Sequence, residues 1–161
     1  MRQRRKQMIE LYGKGFEQLT GALQQSPKEM WRYKPSPDRW SIHEILIHIA
    51  DSEANAFIKC RKLIAQPGNP VNDYDQDIWS DALHYSEQST EDALELFKWL
   101  RRNTYTLLQK IPDDIWHNAS GNTDNGTVTL DDWLEIYANH IPDHIKQMKR
   151  NYASWQKHLL K

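Results

Sequence analysis

Apolar residues return every three or four positions through most of the chain, the period of an amphipathic helix. Met8, Tyr12, Phe16, Leu19 and Leu23 form the first stripe and predict one long helix. Ser26 and Glu29 bracket Pro27 in the spacing of a capping box, which predicts a short second helix cut off by PSPDRW at 35–40. Ser41 with Glu44 opens a long helix expected to run to about Ala65, where QPGNP stops it. Ile45, Leu46, Ile49, Phe57, Cys60 and Ile64 supply its core side. Residues 66–88 lose the period and predict an irregular connection carrying Trp79, His84 and Tyr85, with room for a helical turn. A connection this long in a compact domain is often functional.

Ser89 or Thr90 starts a third long helix, in which Leu94, Phe97, Leu100, Leu107 and Leu108 face inward, ending before Pro112. NASGNTDNG makes 112–128 a turn-rich loop. Thr129 with Asp132 opens the last long helix, whose apolar face is Trp133, Tyr137, Ile141, Ile145, Met148, Tyr152 and Trp155. No segment alternates with period two. The prediction is therefore an all-α four-helix bundle with short helices in its connections, a single domain over residues 1–161. Pro142 is the exception to the last pattern, because an interior proline removes a hydrogen bond and crowds the preceding turn. Either the helix kinks there or a new one begins near Ile141.

Charge and composition narrow the function classes. With 21 basic and 22 acidic residues the net charge is −1, so there is no electrostatic reason to expect nucleic acid or an anionic membrane as partner. A lone cysteine, Cys60, excludes an intramolecular disulfide and fits a reducing cytosol. Its apolar helical position marks a buried structural thiol, not a nucleophile. The basic MRQRRKQ is followed by an amphipathic segment, which reads as a helix start and not as a signal peptide. No stretch reaches the length of a membrane span. The expectation is a cytoplasmic protein.

The candidate chemistry lies in histidines. His140 and His144 are four residues apart, about one helical turn, so both imidazoles leave the same core-directed face. Two neutral imidazoles so spaced can share one divalent cation, and His48, beside Ile45, Ile49 and Ser52 on another long helix, offers a third nitrogen. The pattern alone leaves two readings open: a metal site, or three histidines that find ordinary hydrogen-bond partners in or near the core. Glu44 fits a capping role better than a ligand role, and Asp51 is either a partner that orients an imidazole or a solvated surface group. Asp143 and Glu53 are expected on exposed faces. His43, His117 and His158 lack a supporting pattern, and nothing places His84 at the site. Trp79, Tyr85 and Trp116 are expected to pack loops onto the bundle ends.

WSIHEILIHIADSE, a long helical interval, and then NHIPDHIKQM resemble the DinB/YfiT-like superfamily of four-helix-bundle proteins. That pattern is a tryptophan-led helix with one histidine, followed at a distance by His-x3-His, and the resemblance spans essentially the whole chain. It implies that His48, His140 and His144 are ligands of a divalent metal, zinc or nickel. Pro142 between the histidines departs from the commoner pattern and puts the ligand geometry in question. Members of the superfamily include S-transferases that use bacillithiol or glutathione-like thiols, a mycothiol-dependent isomerase, and many candidate metal-dependent hydrolases. The resemblance therefore implies a metal-dependent enzyme acting on a small-molecule substrate. Transfer of a low-molecular-weight thiol onto an electrophile is the leading expectation. Hydrolysis by metal-activated water and a non-catalytic metal-binding, dimerising bundle are the alternatives. Family habit also makes a homodimer the expected assembly.

Overall fold

The computed structural model describes residues 2–121 and 126–160. Six α-helices run in chain order: α1 (Arg2–Gly13), α2 (Gly15–Gln24), α3 (Ile42–Ala65), α4 (Gln76–Ala82), α5 (Thr90–Leu108) and α6 (Leu130–Leu159). Short 3₁₀ turns occupy Lys28–Met30, Tyr85–Glu87 and Asp113–His117. An isolated β bridge joins Ala119 to Thr129. The long elements α1–α2, α3, α5 and α6 are the four helices of an all-α bundle. Residues 122–125 of the turn-rich stretch expected over 112–128 lie outside the described residues.

Local chemistry sets most helix starts. Ser41 accepts from the Glu44 amide while Glu44 reaches back to the Ser41 amide at 2.8 Å, a complete capping box for α3. Thr129 and Asp132 make the equivalent pair for α6, and Ser89 caps α5. Each arrangement satisfies donors that a helix start leaves unpaired. The predicted box at Ser26 and Glu29 does not form: after Pro27 the chain makes the 3₁₀ turn Lys28–Met30 with no side-chain cap. Other bonds hold that turn instead. Trp31 donates its indole N–H to the Ser26 carbonyl at 3.2 Å, and the His43 amide donates to the Trp31 carbonyl at 2.8 Å.

The first stripe is not one helix but two, interrupted at Lys14. Backbone bonds bridge the break, from Lys14 N–H to the Glu10 carbonyl at 3.1 Å and from Gln18 N–H to the Lys14 carbonyl at 3.0 Å. The flanking glycines explain its position. A Cβ on Gly13 would lie 2.6 Å from the Tyr105 ring, and one on Gly15 would lie 2.9 Å from the Arg101 guanidinium. Glycine at both positions lets the Tyr105 and Arg101 side chains of α5 lie this close to the backbone. At Pro142 the structure shows neither a fresh helix nor a break, since α6 is continuous from Leu130 to Leu159.

Two apolar clusters fill the bundle. One gathers Tyr12, Ala56, Cys60, Leu108, Trp133 and Leu134; the other gathers Leu19, Ile42, Ile45, Phe97, Ile141 and Met148. Trp116 and Tyr85 are buried as loop-packing residues, and Trp79 is half-buried against a smaller cluster formed by Ile47, Ala50, Tyr85 and Ala93. The connection 66–88 thus covers the outer side of α3. As a result, α3 is buried all round from Ile45 to Ala50, and that stretch is apolar at every position except His48. No helix of the described residues is long and apolar enough to cross a membrane.

Candidate metal centre

His48 sits within that enclosed part of α3, and α6 packs beside it. One ring nitrogen from each of His48, His140 and His144 can be chosen so that all three lie within 4.8 Å of one another. The rings meet edge to face, with centroids 5.4 Å apart for His48 and His140, 4.9 Å for His48 and His144, and 4.5 Å for His140 and His144. The Nε2 atoms of His140 and His144 are 3.0 Å apart. The proline between them does not splay the pair, because the turn that carries both stays helical.

Burial holds all three imidazoles neutral. It lowers His48 from its ordinary value of 6.5 to about 3, with the neighbouring His144 adding to the effect. His140 is driven well down by burial, then by His144, His48 and the Arg101 guanidinium. Burial also lowers His144, although Gln147 and Asp143 oppose the shift. Gln147 Oε1 lies 2.9 Å from His144 Nδ1. An amide oxygen can only accept, so Nδ1 carries the proton and Nε2 presents its lone pair. His48 Nδ1 lies 3.5 Å from the Tyr74 hydroxyl, and the Trp40 ring covers His48 at a centroid distance of 4.8 Å. His140 Nδ1 is buried without a hydrogen-bond partner among the described residues.

This donor set fits a divalent cation. Two nitrogens bound to one tetrahedral zinc are about 3.3 Å apart, given bonds of about 2.0–2.1 Å, and the 3.0 Å between the two Nε2 atoms is within a few tenths of that. No cysteine, aspartate or glutamate of the described residues joins the three histidines. Glu44 is committed to its capping box and to Lys34. Asp51 accepts from the Tyr85 hydroxyl at 2.6 Å and orients no imidazole.

The remaining candidates lie elsewhere. Asp143 is exposed, as expected, and pairs with Lys146. Glu53 is not exposed: it is completely buried, with Arg101 Nη2 at 2.6 Å from Oε2 and the Tyr12 hydroxyl on Oε1. A charged residue on the core side of α3 survives there because a fully buried guanidinium from α5 faces it. His43 is buried outside the cluster, and His84, His117 and His158 are exposed. Cys60 is buried, and burial pushes its thiol up to about 12. Gln147 and Tyr74 went unnoticed in the sequence. Gln147 lies three residues after His144, a helical neighbour spacing that could have flagged it; Tyr74, in an irregular segment, carried no such signal.

Comparison with known proteins agrees with this architecture. The family model described as the DinB superfamily matches residues 12–148. A candidate metal-dependent hydrolase of Oceanobacillus iheyensis is 24% identical over 106 residues, which is 66% of this chain and 61% of that protein. YfiT of Bacillus subtilis, also described as a candidate metal-dependent hydrolase, is 23% identical over 66% of this chain and 60% of its own length. The chain thus matches less than two thirds of the length of either relative. The solved structure of YfiT, described as an unusual four-helix bundle, superposes with a TM-score of 0.85 at 18% identity, covering 94% of this chain and 87% of that one. At that identity the likeness establishes the fold.

Proposed function

The chain belongs to the DinB superfamily, and on that premise we propose that it is a metal-dependent enzyme whose His48, His140 and His144 hold a divalent cation, zinc or nickel, for chemistry on a small electrophile. The observation that carries this reading is the convergence of three neutral imidazoles with no fourth protein ligand among the described residues. Three protein nitrogens leave room for a small molecule, as catalytic sites do and structural sites do not. With Glu44 and Asp51 engaged elsewhere, the purely structural alternative loses its nearest fourth ligands.

Bound there, the cation would supply Lewis acidity that lowers the pKa of a thiol or a water. The side chains prepare the site for it. Burial keeps the nitrogens unprotonated, Gln147 fixes the tautomer of His144, and Trp40 walls His48 from solvent. The nucleophile has to arrive from solution, since Cys60 is buried and its thiol is held protonated. A low-molecular-weight thiol transferred onto an electrophilic carbon is the leading reading. In that step sulfur bonds to carbon, the leaving group departs with the electron pair, and the thiol proton passes to solvent. Hydrolysis is the second reading, favoured by the descriptions of the relatives.

Elemental mass spectrometry of tag-free wild type and His144→Ala tests the site. About one zinc or nickel per wild-type chain, lost in the variant, supports it; wild type that refuses added metal overturns it. Metal-loaded protein that consumes thiol with monochlorobimane supports transfer, whereas turnover of an ester or amide panel without thiol supports hydrolysis.

A further inference from the structure

One member of the histidine cluster, His144, lines a surface cleft. This cleft, of about 270 Å³, reaches His144 and Gln147 and is walled by Trp40 and Asn151. Two guanidiniums line it, Arg39 from the segment before α3 and Arg150 from α6. Both are exposed, and neither has an ion pair or hydrogen bond among the described residues. Their placement is built into the fold. Asn151 Nδ2 donates to the Trp40 carbonyl at 2.9 Å, and this bond clamps together the two chain segments that carry the arginines, each next in sequence to one of its partners.

Two guanidiniums that line one cleft without a direct ion pair can serve as a receptor for a planar anion, because each fork can donate two parallel N–H bonds to a carboxylate. Asp38 and Asp77 line the same cleft; Asp38 feels the charge of Arg39, but neither aspartate makes a direct ion pair with an arginine among the described residues. Asp38 accepts from the Ser36 hydroxyl at 2.5 Å. In metal-free protein the two aspartates balance the two arginines in formal charge, which favours a singly charged group over a dianionic phosphate. Trp40 is shared between the cleft wall and the face of His48, so an anion anchored at the arginines leaves the rest of its molecule beside the histidines.

We propose that Arg39 and Arg150 bind a carboxylate of the small-molecule substrate or co-substrate and so set the specificity of the neighbouring site. The role in turnover rests on the metal-enzyme reading above, whereas the binding of carboxylate does not. The test exploits that difference with chelator-treated protein, in which an anion cannot be captured by metal. Butyrate is titrated into wild type at low salt, followed by NMR of the Trp40 indole and of the Gln147 and Asn151 side-chain amides. Butyramide serves as the uncharged isostere and inorganic phosphate as the competing anion.

The expected result is saturable butyrate binding, weaker by about tenfold or more for butyramide and in Arg39→Gln/Arg150→Gln, and weakened by added salt. Both arginines are exposed, so the double variant should fold, and circular dichroism together with its metal content confirms that it does. No saturable butyrate binding, equal binding of butyramide, unchanged binding in the double variant, or phosphate binding tenfold tighter than butyrate would each overturn the proposal. Wild type that takes up no metal but still binds butyrate through the arginines would overturn the metal-enzyme reading and leave this one standing.

Discussion

Removing Arg101 should cost more stability than any other single change near the site. Its guanidinium is buried, bonds Glu53 at 2.6 Å, donates to the Tyr12 carbonyl at 3.1 Å and the Tyr137 carbonyl at 3.3 Å, and stacks 3.9 Å from the Tyr12 ring. In Arg101→Met, Glu53 is left fully buried without a countercharge, which costs about 3–5 kcal/mol. The Tyr12 carbonyl lies at the end of α1, where helical partners run out, and its lost donor adds about 1 kcal/mol. For a chain of this size that total of about 4–6 kcal/mol should lower the melting temperature by about 8–24 °C. A double-mutant cycle separates the pair from the packing: Glu53→Leu/Arg101→Met should recover to within about 2 kcal/mol of wild type, because a matched apolar pair replaces a buried ion pair at little cost. Urea unfolding of the four proteins measures both quantities. An Arg101→Met loss below about 1 kcal/mol, or a double variant whose loss equals the two single losses added, would refute the assignment of a strongly coupled buried pair. Because Arg101 also bonds the carbonyl three residues before His140, zinc affinity should weaken in the single variant.

Three further outcomes follow from the geometry. The histidines bind protons less readily folded than unfolded, so the stability they contribute is fully present above about 6.5 and is lost as pH falls, for His48 through the window between 6.5 and about 3. Metal-free protein should therefore melt lower at about pH 5 than at about pH 7.5, with His48 alone costing up to about 2 kcal/mol of stability, and equal melting temperatures would contradict the depressed values. The Cys60 thiol should resist Ellman's reagent in native protein and react on unfolding in guanidinium; fast native labelling would make it a candidate nucleophile. Gly121→Ala should destabilise the fold by about 1–3 kcal/mol in urea melts, since its Cβ would lie 2.4 Å from the Gly68 carbonyl oxygen. A neutral result there would mean that the contact between the loops around residues 68 and 121 yields easily.

How much could be seen in advance depended on how far apart the interacting groups are along the chain. The boxes at Ser41–Glu44 and Thr129–Asp132 were legible because partners three residues apart meet in any helix. The stripe that buries Trp133, Tyr137, Ile141 and Met148 was legible for the same reason, as was the pair His140 and His144. His48 was legible only as an inward position on a second helix. The box at Ser26 failed because contacts from Trp31 and His43 chose a different turn. Tertiary contact went with the break at Lys14, where Tyr105 and Arg101 lie against two glycines, and decided the burial of Glu53, whose countercharge lies 48 residues away. It also decided that Arg39 and Arg150, 111 positions apart, share a cleft with His144. Sequence by itself determined the long helices α3, α5 and α6, their apolar faces and the inward histidines, because hydrogen bonding and periodicity act within a turn. Only the packed bundle decided which charges were paired, which were left free, and that three imidazoles from two helices would meet, because burial and proximity between distant segments exist only after the chain has folded.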